Sequence, residues 1–317
     1  MEKLALDQID ILLIDPDRAV RSTIRNILID NGFRNVTMGS GIADIKAKFQ
    51  IGMPDLLISD IKIEDGDFNA FVYGLRHHEY GSNPFLPIIA TAWSPTSDDV
   101  RGIVQSGADD IVAKPLSAGQ LLQRIMMLIK ARKPFVVTSA YIGPDRRKDG
   151  DDHERGGEII EQVQVPNVLR AKAMGHGRTN MSQIQHEIDA CSQKVNLQKL
   201  ERHAHQALWL VERIVPGLAF GGPDEPTTRS LERLLYVAED TGRRMVGTPF
   251  AHVEELCNSL IDVTSRILKA GEFPAPKDVE LLRPLAKAIQ RGFNEDDTEA
   301  ARMAHKISES VSKGPAN

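Results

Sequence analysis

One pattern constrains this chain more than any other. Five times in the first 130 residues, a short apolar run is followed by a stretch of helical period. Ile9 to Ile14 is nearly continuous in apolar residues, as suits a strand buried on both faces. Val20, Ile24, Ile27 and Leu28 then recur at helical spacing, and Asn31-Gly32 ends that helix. The same alternation pairs a strand over Val36 to Met38 with a helix marked by Ile42, Ile45 and Phe49. A strand over Asp55 to Ser59 precedes a helix over Phe68 to His77, and one over Leu86 to Ala90 precedes a helix around Asp98 to Gln105. A strand over Asp110 to Ala113 leads to a last helix carrying Leu121, Leu122, Ile125, Met126 and Ile129. Such alternation implies a parallel sheet with helices on both faces.

In sheets of this kind the site lies outside the carboxyl ends of the strands. Strand one ends in Asp15-Pro16-Asp17, strand three in Asp60, strand four in Thr91-Ala92 and strand five in Lys114-Pro115. Acids, a hydroxyl and a lysine therefore converge on one edge. Taken singly, Asp17 reads as a helix N-cap and Lys114 as a solvated loop residue. Taken together, in this order on these strands, they read as a charged site.

The segments ILLIDPDRAVR, PDLLISDIKIEDGD, LPIIATA and GADDIVAKP resemble those of a response-regulator receiver domain of the CheY type, over residues 1–133. The resemblance implies an α/β, flavodoxin-like, doubly wound five-stranded parallel sheet of order 2-1-3-4-5. It implies that Asp60 is the phosphoacceptor, taking a phosphoryl group from a sensor histidine kinase or phosphotransfer protein. Mg2+ is the implied cofactor, held by Asp15, Asp60 and the backbone carbonyl of Lys62. Thr91 and Ala92, with Lys114 and Pro115, would bind the phosphoryl group and carry the switch, the Lys114-Pro115 bond being cis. Lys62, Trp93 and Ile111 occupy modulating positions.

The chain departs from the family pattern at four places. Pro16 stands where the second acid of a metal-binding pair is usual, so magnesium binding is expected to be weakened unless Asp17 substitutes as ligand. Glu64 replaces a proline, Phe68 a glycine, and Ile111 an aromatic switch residue.

The second half carries less chemistry. Residues 134–165, with both charge signs mixed among Gly and Pro, read as a flexible charged linker in which Arg146-Arg147-Lys148 is solvated. Residues 166–317 read as an all-α helical output or dimerisation region. Its helices are marked by Leu197 to Val215, stopped at Pro216-Gly217, by Leu231 to Ala238, ended by Gly242, and by Val253 to Ile267 after an N-cap at Thr248-Pro249. A further helix runs from Val279 to Ile289 with a kink at Pro284, and the last covers Glu299 to Val311. The stretch QHEIDA and His203, His205 and His305 lack the surroundings of a phosphotransfer histidine and read as surface or boundary residues. His252 with Glu255 lacks a further metal ligand. Glu255-x-x-Asn258 is too short a pattern to carry a phosphatase assignment.

With 317 residues, about two domains are expected. A net charge of −5 and the lack of a basic recognition face argue against nucleic acid. The two cysteines have no metal-ligand spacing and fit a cytoplasmic compartment. No apolar run is long enough for membrane insertion. The expected function is a two-component response regulator rather than a dedicated enzyme. It would signal to a downstream protein target through contacts or homodimerisation of its helical region. The alternatives are a transcriptional regulator with a helical DNA reader, a receiver fused to a phosphotransfer or phosphatase module, and a receiver kept only as a scaffold.

Overall fold

The computed structural model describes residues 4–147, 154–155, 158–175, 177, 179–218, 222–245 and 252–293. Two compact units divide the chain, Met1–Val195 and Asn196–Asn317.

In the first unit five strands alternate with five helices. β1 (Asp10–Ile14), β2 (Asn35–Gly39), β3 (Leu56–Asp60), β4 (Ile88–Trp93) and β5 (Asp110–Lys114) form one sheet in the order β2-β1-β3-β4-β5. Every neighbouring pair is parallel. The expected flavodoxin-like topology is therefore present. The strands are apolar without alternation because the sheet has two cores. Ile11, Leu13, Leu56, Ile58, Ile89 and Val112 face one. Leu12, Ile14, Leu57, Ile88 and Ala90 face the other. Successive side chains on a strand point to opposite faces, so both sets come from the same runs.

The helices are α1 (Arg18–Asp30), α2 (Ile42–Ile51), α3 (Phe68–Arg76), α4 (Ser97–Ser106) and α5 (Ala118–Ala131). Their starts are set by local chemistry. Asp67 caps α3 on Ala70 N, while Thr96 and Ser117 form capping boxes with Asp99 and Gln120. α4 ends on Gly107, whose φ of +93° is the left-handed conformation that glycine adopts without strain. Phe68, in place of the usual glycine, is buried in the core.

Among the described residues of 134–165, strands stand where a flexible linker is expected. β6 (Phe135–Val137), β7 (Ile142–Pro144) and β10 (Gln162–Val163) form a small antiparallel sheet, and β8 (Glu154–Arg155) pairs with β9 (Glu158–Ile159). Phe135, Val137, Ile142 and Val163 are buried with Phe85 of the receiver region. The arginines read as solvated are anchored. Arg146 donates to the carbonyls of Ala108 and Asp109, and Arg147 pairs with Asp145 at 2.6 Å. Lys148 lies outside the described residues. α6 (Val168–Gly175) then places Leu169 and Ala173 in the same core as Ile11 and Leu28. Apolar burial is the reason these segments are ordered, at about 1.5–3 kcal/mol for each large side chain fully buried.

All described structure after Asn167 is helical. α7 (Met181–Gly217) begins well before Leu197. α8 (Glu225–Met245), α9 (His252–Ala270) and α10 (Pro276–Gly292) follow. In the second unit Leu200, Val211, Leu234, Leu260 and Leu285, from four helices, share one core. Gly242 does not end α8. It lies inside the helix, where a Cβ would meet Cys257 at ordinary contact distance, so packing there does not require glycine. α10 runs through Pro284. His203 is fully buried rather than at a boundary, with Nδ1 3.2 Å from Thr241 Oγ1. His205 is exposed and meets Gln290. Thr248-Pro249, the expected helix over Glu299 to Val311 and His305 lie outside the described residues. No helix among the described residues is long and apolar enough to cross a membrane.

Candidate functional site

Parallel strands all present their carboxyl ends on one edge, so the sheet itself assembles the site. Asp15 follows the last residue of β1, Asp60 closes β3, Thr91 is in β4 and Lys114 closes β5. Strand register sets the lateral spacing: Asp60 is paired with Thr91, and Trp93 with Lys114. Asp15, Asp60, Thr91, Ala92 and Lys114 are all buried. Charged side chains are rarely buried unless paired, and these are. Lys114 Nζ donates to Asp15 Oδ2 and to Asp60 Oδ2. Two carboxylates thus share one ammonium. The Lys114-Pro115 peptide is cis, as expected.

Each carboxylate accepts one further bond from the loop that follows its strand. Asp17 N donates to Asp15 Oδ1 at 2.9 Å, and Lys62 N to Asp60 Oδ1 at 2.6 Å. An ionised carboxylate offers about four acceptor positions. Both acids therefore keep lone pairs that no protein group uses.

The two acids flanking Pro16 have different environments. Asp17 is exposed, and its Oδ1 caps α1 on Ala19 N (2.7 Å) and Val20 N (3.3 Å). One oxygen of its carboxylate serves the helix, whereas the carboxylate of Asp15 is buried against Lys114. Pro16 brings no carboxylate, and its carbonyl accepts from Arg21 Nη1 at 3.1 Å. The same guanidinium nitrogen donates to the carbonyl of Asp15. Sequence reasoning missed Arg21, although its place one turn into α1, four residues after Asp17, was the available signal.

The modulating positions surround this pocket. Trp93 is 57% exposed, and its ring lies 5.8 Å from Lys114 Nζ. Lys62 is exposed. Ile111 is half-buried, beside Ala90 in register, and packs on the α3–α4 side of the sheet. Glu64 ties its loop to the one after β2 through Ser40, whose Oγ donates to Glu64 Oε2 at 2.9 Å. Next to it, Asp65, at a φ of +61°, accepts from Ile42 N and Ala43 N and so caps α2 from outside its own loop. That long-range cap joins residues more than twenty positions apart and leaves no local pattern to read. The structure thus brings together Asp15, Asp60, Thr91, Lys114 and Trp93, with Asp17 capping α1 beside them.

Residues 11–126 match the family model of the response regulator receiver domain. Response regulator MprA of Mycobacterium tuberculosis is 33% identical over 125 residues, covering 39% of this chain and 52% of that protein. The KDP operon transcriptional regulatory protein KdpE of Escherichia coli is 28% identical over 139 residues, 43% of this chain and 55% of that one. The chain therefore spans about half the length of the curated relatives it matches. Among solved structures, the receiver domain of sensor histidine kinase PA1611 from Pseudomonas aeruginosa, with magnesium in its active-site cleft, is 25% identical. It covers 38% of this chain and 94% of that one with a TM-score of 0.33. With the β2-β1-β3-β4-β5 sheet and the buried acids at its carboxyl edge, the family match makes the N-terminal part of this chain a response-regulator receiver domain.

Proposed function

We propose that the chain is a phosphorylation-controlled switch whose phosphoacceptor is Asp60. The observation that carries this reading is the sharing of Lys114 between Asp15 and Asp60 while both acids keep unused lone pairs. A carboxylate oxygen of Asp60 attacks the phosphorus of a phosphohistidine on a sensor kinase or phosphotransfer protein. A P–O bond forms, the P–N bond breaks, and the imidazole leaves with a proton. Such a transfer needs positioning and charge neutralisation more than covalent help. Lys114, already on Asp60, supplies a cation for the phosphoryl oxygens. Thr91, paired with Asp60 in register, would supply a hydroxyl donor to them.

Magnesium takes oxygen ligands and is commonly held by one or two carboxylates plus phosphate and water. The spare lone pairs of Asp15 and Asp60 fit that donor set, with the Lys62 carbonyl as a third protein ligand. When bound, the ion offsets repulsion between the carboxylates and the phosphoryl oxygens.

A phosphoryl group would replace one carboxylate charge by about two. The added charge would redistribute Lys114 and Thr91 and bias the β4–α4 loop, changing what the face around Trp93 and Ile111 presents to a partner. The helical second unit is the proposed output, acting through protein contacts. The test is incubation with acetyl phosphate and MgCl2 followed by a phosphate-affinity gel. A retarded band that disappears in Asp60→Ala supports the reading. An unshifted wild-type protein, or a shift that survives the substitution, contradicts it.

A further inference from the structure

The guanidinium of Arg21 has no role in the scheme above, yet it is fixed at the site. Nη1 donates to the carbonyls of both Asp15 and Pro16, the two residues at the mouth of β1. No other described group bonds Nε or Nη2, so the charge of Arg21 is held in place by neutral acceptors and not spent on a carboxylate. Asp17 Oδ1 is engaged with the first turn of α1. Pro16 contributes no charge. On this side of the pocket a fixed cation therefore stands beside a position without a carboxylate, and Asp15 and Asp60 already share Lys114.

We propose that Arg21 is a positioning residue that lowers the affinity of the Asp15–Asp60 pocket for a divalent cation, so that phosphorylation of this receiver responds to magnesium over a higher concentration range. The proposal rests on Asp60 as phosphoacceptor with magnesium as its cofactor, and it assigns the weak metal binding to a charge rather than to a missing ligand alone. A unit charge held on the backbone of Asp15 and Pro16, screened by salt, would weaken binding of a divalent ion about three- to tenfold. Arginine suits the role because it stays protonated at any working pH.

The test is a binding measurement on the full chain. Trp93 lies beside Lys114, so MgCl2 is titrated against its fluorescence in a Trp209→Phe background, which removes the only other tryptophan. MnCl2 titrations read by electron paramagnetic resonance count bound ion independently. Arg21→Gln should tighten both cations about three- to tenfold. Arg21→Lys, which keeps the charge, should stay within about twofold of wild type. The gap between Arg21→Gln and wild type should narrow as salt rises. Unchanged or weaker binding in Arg21→Gln overturns the proposal. So does equal tightening in Arg21→Lys, which would assign the effect to loop geometry. If no variant binds either cation while Asp60 is still phosphorylated, this proposal fails and the phosphoacceptor stands. Absence of phosphorylation in every variant, with cation binding behaving as expected, fails the phosphoacceptor and leaves the charge effect of Arg21 standing.

Discussion

The two edges of the five-stranded sheet both bury charge, and they do it differently. At the amino edge Asp109 accepts four bonds: Arg132 Nε at 2.7 Å, Ile88 N at 2.9 Å, and Arg76 Nη2 and Arg132 Nη2 at 3.1 Å each. The other N–H groups of Arg76 go to the carbonyls of Gly107, Pro84 and Leu86, and Arg132 Nη1 goes to Phe85 O. Burial pulls Arg76 down to about 10, against the pull of Asp109 in the other direction. Phe135 lies against both guanidinium groups at 5.1–5.3 Å. One carboxylate is saturated by two cations. At the carboxyl edge the ratio is inverted, with two carboxylates on one lysine and acceptor capacity left over. The difference separates architecture from chemistry: a saturated carboxylate holds elements together, and an unsaturated one can take a phosphorus atom or a metal.

The amino edge is built partly by the segment after α5, so removing that segment is the largest perturbation. A chain ended at residue 133 loses Phe135, Ile142, Val168 and Leu169 from buried clusters, together with the Lys172–Asp55 ion pair at 2.8 Å. It should be less stable than residues 1–195 by about 5 kcal/mol or more, from four buried side chains at roughly 1.5–3 kcal/mol each less what the shortened chain recovers by relaxing. Urea unfolding of the two chains measures this, and equal midpoints would show that the segment is a passenger.

Within the intact chain, Asp109→Ala leaves two buried guanidinium groups facing each other. It should cost about 3–5 kcal/mol. Asp60→Ala removes one of two carboxylates competing for Lys114, and should abolish phosphorylation while leaving stability within about 1 kcal/mol of wild type. Similar losses for both substitutions would erase the contrast between the edges.

The helical unit offers another buried carboxylate shared by two guanidinium groups. Asp240 is buried, which by itself raises its carboxyl, but the neighbouring Arg244, bonds from Arg244 and Arg243, and the proximity of His203 hold it well below the usual range. A carboxyl depressed in the folded state contributes stability above its unfolded value, near 3.9, and loses it as pH falls toward the folded one. Thermal melts should therefore show the helical unit weakening below about pH 4, with Asp240→Asn weaker at neutral pH and flatter across that limb. The smallest effect belongs to Asp17. Asp17→Ala should cost about 1 kcal/mol as a lost N-cap and leave magnesium affinity unchanged. A drop in affinity would make Asp17 a ligand after all.

The receiver sheet was legible because burial on both faces writes unbroken apolar runs, and because parallel strands place their last residues on one edge. Asp15, Asp60, Thr91 and Lys114 followed from that rule alone. The Asp109 network did not, since it depends on Arg76 and Arg132 arriving from separate helices. Residues 134–165 misled because strands of two or three residues carry no period, and because Arg146 and Arg147 are fixed by a backbone and an acid that only the fold brings near. His203 is buried by packing between α7 and α8, which helical spacing alone does not predict.

The most direct measurement of the central claim is borohydride trapping. The chain is phosphorylated with acetyl phosphate and MgCl2, reduced, and mapped by peptide mass spectrometry, which converts an acyl phosphate into homoserine at the modified position. Homoserine is expected at position 60, and none in Asp60→Ala. Reduction at another residue, or at none under conditions that modify a known receiver, would contradict it.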